Sequence, residues 1–180
     1  MKFIKTDIEG LILIRPKNFK DERGVFFESF NKQKFNKEIK NIDFVQDNIS
    51  ITKYGVFRGF HYQRPPKAQA KLIQVIQGAI LDIVIDLRKS SSTFKKSFQV
   101  ILSDENQNQL FIPKGFAHGF LSLSKFSKVI YKTSDFYYPE FESTIKWNDP
   151  ELGINLNIDN PILSKRDQMS DFLNECFFFD

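Results

Sequence analysis

The sequence predicts a mostly β chain, folded as a β-sandwich or jelly roll, on three observations. Short runs rich in β-branched residues recur along its length, turn residues separate them, and helical periodicity is confined to two brief stretches. A single domain over residues 1–180 is expected, since 180 residues suffice to bury a core without disulfide staples.

From the N-terminus, strands are predicted at Gly10–Pro16 and Gly24–Phe30, followed by a short helix over Phe30–Ile39 and a strand at Phe44–Thr52. Leu72–Gln77 and Ala79–Leu87, dense in Ile, Val and Leu, are hinged at Gly78 and predict a hairpin. On the second run Asp82 and Asp86 share a face with Ile80 and Val84. A lone buried carboxylate is costly, so each of these acids needs a partner or a wet cavity. Further strands are predicted at Phe98–Leu102, Gln109–Ile112, His118–Leu123 and Lys128–Ser134. Ser164-Lys165-Arg166-Asp167 has the form of a capping box and predicts a C-terminal helix through Asn174. The aromatic cluster Phe172, Phe177, Phe178 and Phe179 suits either packing on the barrel or a dimer contact.

Charge narrows the function classes. Lys and Arg outnumber Asp and Glu by 26 to 22, but the two signs are interleaved and form no basic arm for nucleic acid. One cysteine, Cys176, excludes an intrachain disulfide and a multi-cysteine metal site, and fits a reducing compartment. Asp7 and Glu9 interrupt the segment where a signal peptide needs its apolar stretch, and no run is long enough for a membrane span. A cytoplasmic protein without membrane or nucleic-acid partners is expected.

The only two histidines, His61 and His118, sit in Arg58-Gly59-Phe60-His61-Tyr62-Gln63 and Pro113-Lys114-Gly115-Phe116-Ala117-His118. Imidazole titrates nearest neutrality and is the default proton carrier. The second segment has the Pro-x-Gly-x-x-His shape of a cupin motif, yet the chain has no His-x-His with which to complete a cupin metal site. A metal-free cavity without a cofactor is therefore expected, and a metal-dependent cupin enzyme is the rival class. A base, a lysine and a phenol in such a cavity suit proton abstraction beside a carbonyl. His61 takes the proton, Lys71 stabilises the enolate, and a phenol on the opposite wall returns a proton, so the carbon is epimerised. Spacing leaves alternatives open. Lys71 could be a solvated cation or pair with Asp82 across the hairpin, and Tyr131 could be a core residue. Asp167 could be no more than a helix cap, with Asp82 and Asp149 as rivals for the carboxylate behind His61.

Nine segments together carry a family resemblance. They are Asp21–Glu28, Gln46–Ser50, Gly55–Gln63, Gln69–Leu72, Asp86–Arg88, Ile112–Phe120, Tyr131-Lys132, Trp147–Pro150, and Leu163-Ser164 leading to Asp167. In this order the chain resembles the dTDP-4-dehydrorhamnose 3,5-epimerase family over essentially its whole length. The resemblance implies a dimeric cupin-like jelly-roll sandwich with short helices, one of them C-terminal. It also implies a nucleotide-diphosphate 4-keto-6-deoxy sugar as substrate, dTDP-linked hexose or GDP-linked heptose, inverted at C3 and C5 or, in some members, at C3 alone. By this resemblance His61 is the base, Asp167 its partner, Tyr131 the proton donor and Lys71 the enolate-stabilising lysine. Arg58 and His118 match positions near the diphosphate, and Gln46 and Asn48 match substrate contacts. Arg23, Phe26 and Glu28 match residues that reach the nucleotide from the neighbouring subunit. Tyr137, Glu142 and Arg166 fall at ligand-facing positions, with Arg166 where the family usually has Lys. Ile154-Asn155-Leu156-Asn157 departs from the family's Ile-x-Trp-Pro and is expected to alter a wall near Asp167.

Overall fold

The computed structural model describes every residue from Met1 to Asp180. Strands β1 (Lys2–Lys5), β2 (Ile12–Arg15), β3 (Asn18–Asp21) and β4 (Gly24–Phe27) precede helix α1 (Lys32–Glu38). Next come β5 (Gln46–Lys53), β6 (Phe57–Gln63), β7 (Lys71–Gln77), β8 (Ala79–Asp86) and β9 (Ser97–Ser103). The chain continues through β10 (Gln109–Ile112), β11 (Phe116–Ser122), β12 (Phe126–Thr133) and β13 (Glu142–Thr144) to helix α2 (Lys165–Gln168). One sheet has the order β1-β2-β10-β7-β12-β5 and the other β13-β6-β11-β8-β9, with β3–β4 as a separate ribbon. From β5 to β13 every connection but β8–β9 changes sheet, so the expected jelly-roll sandwich is what forms.

Period-two alternation sorts the side chains into layers. Ile80 and Val84 of β8, Phe116 and Phe120 of β11, Ile73 and Val75 of β7, and Val129 of β12 meet between the sheets. The opposite faces of β6, β8 and β11 bury Phe60, Tyr62, Ile83, Ile85, Leu87 and Leu121 beneath the C-terminal segment, where Leu152, Leu156 and Leu173 cover them. On the outer face of the other sheet, Ile14, Leu72 and Phe111 pack against Phe35 in the middle of α1 and Ile39 just beyond its end. At one end of the sandwich the inward positions turn polar: Gln46, Asn48, His61, Lys71, Tyr131 and Thr133 line a cavity there. No helix is long and apolar enough to cross a membrane.

Three local expectations need correction. β7 and β8 do not pair: β7 lies between β10 and β12, and β8 between β11 and β9. Gly78 is instead the corner at which the chain passes from sheet to sheet; its φ is +77°, and a Cβ there would lie 2.6 Å from the Phe126 carbonyl oxygen. The C-terminal helix stops at Gln168, and Leu173–Glu175 is a separate 3₁₀ turn. β6, which carries His61, was not among the predicted strands, because Arg58 and Gly59 break its apolar alternation.

Candidate active site

The cavity at the polar end has a volume of about 360 Å³ and is lined by Gln46, Asn48, His61, Lys71, Tyr131, Tyr137, Glu142 and Arg166, together with Tyr62, Gln63, Gln69 and Thr133. A second lobe of about 150 Å³ shares His61, Lys71 and Tyr131 and adds Ser50, Arg58, His118, Phe120 and Val129. The two lobes thus meet at the three residues expected to do the chemistry.

His61 is held at both ring nitrogens. Its Nε2 lies 2.7 Å from Asp167 Oδ1 and its Nδ1 2.7 Å from Glu142 Oε1. Burial alone would lower the pKa of the imidazole, but the two carboxylates outweigh it and hold His61 above its ordinary value. Burial likewise pushes Glu142 and Asp167 up. Their bonds to His61 reverse that, leaving Asp167 below its ordinary value and Glu142 at about 2. Asp167 is both a cap and a partner. Ser164 Oγ accepts from the Asp167 amide at 3.1 Å and donates to Oδ2 at 2.8 Å, which turns Oδ1 toward His61. The rivals are engaged elsewhere: Asp149 accepts from the Leu173 and Glu151 amides, and Asp82 meets His118.

His61 can occupy its place because β6 and β11 approach closely. Gly59 has φ +137°; a Cβ there would collide with Gly119 Cα and lie 2.9 Å from the His118 oxygen. The pairing shifts register between His118 and Phe120, with His118 opposite His61.

Lys71 enters from the other sheet and donates from Nζ to the His61 carbonyl oxygen at 3.3 Å. It forms no salt bridge with Asp82, contrary to the pairing considered from sequence; Asp82 Oδ2 is instead 2.9 Å from His118 Nε2. Burial lowers Lys71 to about 8, with Glu142 and Asp82 partly opposing the shift. Tyr131 stands diagonal to Lys71 on adjacent β12, and burial raises its phenol above the ordinary value.

Most of the other expected residues are gathered here as well. Gln46 and Asn48 hydrogen-bond each other on β5, and Arg58 Nε donates to Thr52 Oγ1 at the rim of the second lobe. Tyr137 and Arg166 both bind Glu142. Arg23, Phe26 and Glu28 do not line this cavity. Arg23 and Phe26 lie on the exposed β3–β4 ribbon, and Glu28 follows it, bound to Lys34 and Asn31. The Ile154–Asn157 segment does not line it either: Leu156 borders an apolar hollow with Tyr54, Leu81 and Ile101. Sequence reasoning missed Tyr62, Gln63, Gln69, Thr133, Ser50, Phe120 and Val129 as lining residues; inward alternation from Asn48 to Ser50 and from Tyr131 to Val129 and Thr133 could have found three of them.

Comparison with known proteins points to one family. Residues 5–175 match the family model described as dTDP-4-dehydrorhamnose 3,5-epimerase. A relative of that name from Methanothermobacter thermautotrophicus is 47% identical over 170 residues, covering 93% of this chain and 91% of its own. The crystal structure of the Bacillus anthracis enzyme of that name, with TDP and pyrophosphate bound, superposes with a TM-score of 0.93 at 46% identity, covering 96% and 99% of the two chains. The Legionella pneumophila dTDP-6-deoxy-D-glucose-3,5-epimerase, in complex with dTDP-4-keto-L-rhamnose, gives 0.91 at 42% identity over 96% and 93%. A histidine between buried carboxylates, a lysine from the facing sheet and a match over nearly the whole chain lead to one conclusion: the chain belongs to the dTDP-4-dehydrorhamnose 3,5-epimerase family.

Proposed function

We propose that this protein inverts C3 and C5 of a dTDP-linked 4-keto-6-deoxyhexose without a cofactor, supplying a precursor for surface polysaccharide. The observation that carries the reading is the facing of His61, Lys71 and Tyr131 across one cavity, with Asp167 behind the imidazole. Relatives named for dTDP sugars favour the dTDP-linked hexose over the GDP-linked heptose.

The C4 ketone acidifies the hydrogens on both neighbouring carbons, so one apparatus serves both. Neutral His61 takes the proton from carbon, and the C–H electron pair moves into an enolate with its charge on the C4 oxygen. The Lys71 ammonium stabilises that oxygen electrostatically. The Tyr131 phenol delivers a proton to the opposite face, restoring the ketone with inverted configuration. Imidazolium and phenolate then exchange protons with solvent, and the cycle repeats at the second carbon. Arg58 and His118 border the second lobe, where a guanidinium suits diphosphate oxygens. Gln46, Asn48, Tyr137, Glu142 and Arg166 contact the rest of the substrate.

The working unit under this reading is a cytoplasmic homodimer of single-domain subunits 1–180, with Arg23, Phe26 and Glu28 reaching the neighbouring site. Support comes from the ribbon's position outside its own cavity and from exposed Phe19, Val25 and Phe26 on it. Exposed Ile49 and Ile51 on edge strand β5 add a second apolar surface. Proton NMR of the product from dTDP-4-keto-6-deoxyglucose tests the activity: inversion at both centres is expected. Inversion at C3 alone would reduce the protein to a monoepimerase, and an unchanged substrate would refute the reading.

A further inference from the structure

The carboxylates on the two nitrogens of His61 are held in different ways. Asp167 is buried, fixed through Ser164 by the first turn of α2, and absent from the cavity wall. Glu142 lies on the three-residue edge strand β13 and borders the cavity. Its second oxygen, Oε2, accepts from Tyr137 Oη at 2.6 Å and pairs with Arg166, whose Nη1 also donates to Tyr137 Oη at 3.2 Å. Glu142 therefore has partners on both sides, the base on one and the rim on the other.

An imidazole that donates to a carboxylate from each nitrogen is an imidazolium, and an imidazolium has no lone pair with which to take a proton from carbon. This arrangement holds the base in its inactive protonation state. We propose that Glu142 is a positioning residue that caps Nδ1 of His61, and that entry of the sugar shifts it onto Tyr137 and Arg166, freeing Nδ1 to take the substrate proton. This rests on the epimerase reading above. On release, the Nδ1 proton passes through Glu142 to solvent, leaving neutral imidazole with Nε2–H donated to Asp167. Abstraction then breaks the C–H bond, forms Nδ1–H, and sends the electron pair to the C4 oxygen.

The charged and titratable groups around His61 single out Glu142. Asp167 and Arg166 face it from α2, Tyr137 from the loop before β13, Lys71 from β7 and Tyr131 from β12; Arg58 shares its strand, and His118 lies opposite on β11. Only Glu142 both bonds to the ring and borders the cavity. The low pKa of Glu142, about 2, and the raised pKa of His61 agree with an ion pair between them.

With two histidines in the chain, proton NMR resolves both imidazoles, and His118→Asn assigns them. In ligand-free protein, Glu142→Gln is expected to lower the His61 midpoint by about one pH unit. Saturating the wild type with dTDP-L-rhamnose, which lacks the ketone and does not turn over, should lower its midpoint likewise, while Glu142→Gln barely moves. The acid limb of kcat/KM should shift to lower pH in Glu142→Gln, an effect that general loss of structure would not give. Glu142→Asp, with a shorter reach, should move the midpoint in the same direction and serves if the Gln variant does not fold. A wild-type midpoint in ligand-free Glu142→Gln, or an equal ligand-induced drop in both proteins, would overturn the proposal. The ligand-free titration needs no turnover. A shifted midpoint in a protein that epimerises nothing would reject the epimerase reading and leave the cap standing.

Discussion

Lys71 crosses the sandwich from β7 to the main-chain oxygen of His61 on β6, so the proposed base and the proposed enolate stabiliser are tied together by one hydrogen bond between opposite sheets. Neither sheet holds both groups. The site exists only where the sandwich is closed, and the proposed chemistry depends on the charge states of these two residues.

That relationship fixes the pH dependence. His61, raised above its ordinary 6.5, becomes a base as pH rises through its pKa, whereas Lys71 loses its charge as pH rises through about 8. The kcat/KM profile should be a narrow bell with an alkaline midpoint near 8. Lys71→Gln should cut kcat by about 10²-fold or more and abolish that alkaline limb in steady-state assays across pH.

Tyr131→Phe separates the two halves of the reaction. His61 still removes the proton, but the opposite face has no acid. In heavy water, exchange at the carbon should outlast inversion, as followed by proton NMR. Equal loss of both would remove Tyr131 from the role of second-face donor.

Asp167→Asn should lower kcat by about 10³–10⁴-fold, because an amide neither fixes the tautomer nor stabilises the imidazolium. Ser164→Ala, which frees Asp167 from its cap, should cost about 1 kcal/mol of stability and lower kcat less. The linkage has a definite sign. A lowered Asp167 stabilises the fold above its ordinary 3.8 and loses this as pH falls through its depressed pKa. A raised His61 stabilises it below 6.5 and loses this as pH rises through its elevated one. The gap in melting temperature between wild type and Asp167→Asn should therefore be widest between about pH 4 and 6.5, as read by thermal denaturation.

Gly59→Ala should destabilise the protein by more than about 2 kcal/mol in denaturant titrations, since φ +137° and the closeness of Gly119 exclude a methyl group. A near-neutral result would mean that β6 and β11 can separate without cost.

Much of this was legible in the chain. β-Branched alternation marked most of the strands, and nine collinear segments carried the family. Long-range pairing was not legible, because period two reports which residues share a face and not which strand lies alongside. Gly78 reads as a hairpin hinge, yet it turns a corner between sheets. β6 was hidden because Arg58, Gly59 and His61 spoil its apolar pattern. At Asp167 a helix cap and a hydrogen-bond partner for His61 give the same spacing, and in the fold one geometry serves both. The contact between Glu142 and His61 spans 81 positions and has no local signature.

The central claim is that His61 draws protons from the carbons beside a ketone. It is tested most directly by incubating dTDP-4-keto-6-deoxyglucose in heavy water with wild type and with His61→Asn, and reading deuterium at C3 and C5 by NMR. Wild type should incorporate deuterium at both positions, and His61→Asn at neither. Exchange at an undiminished rate in His61→Asn would contradict the account.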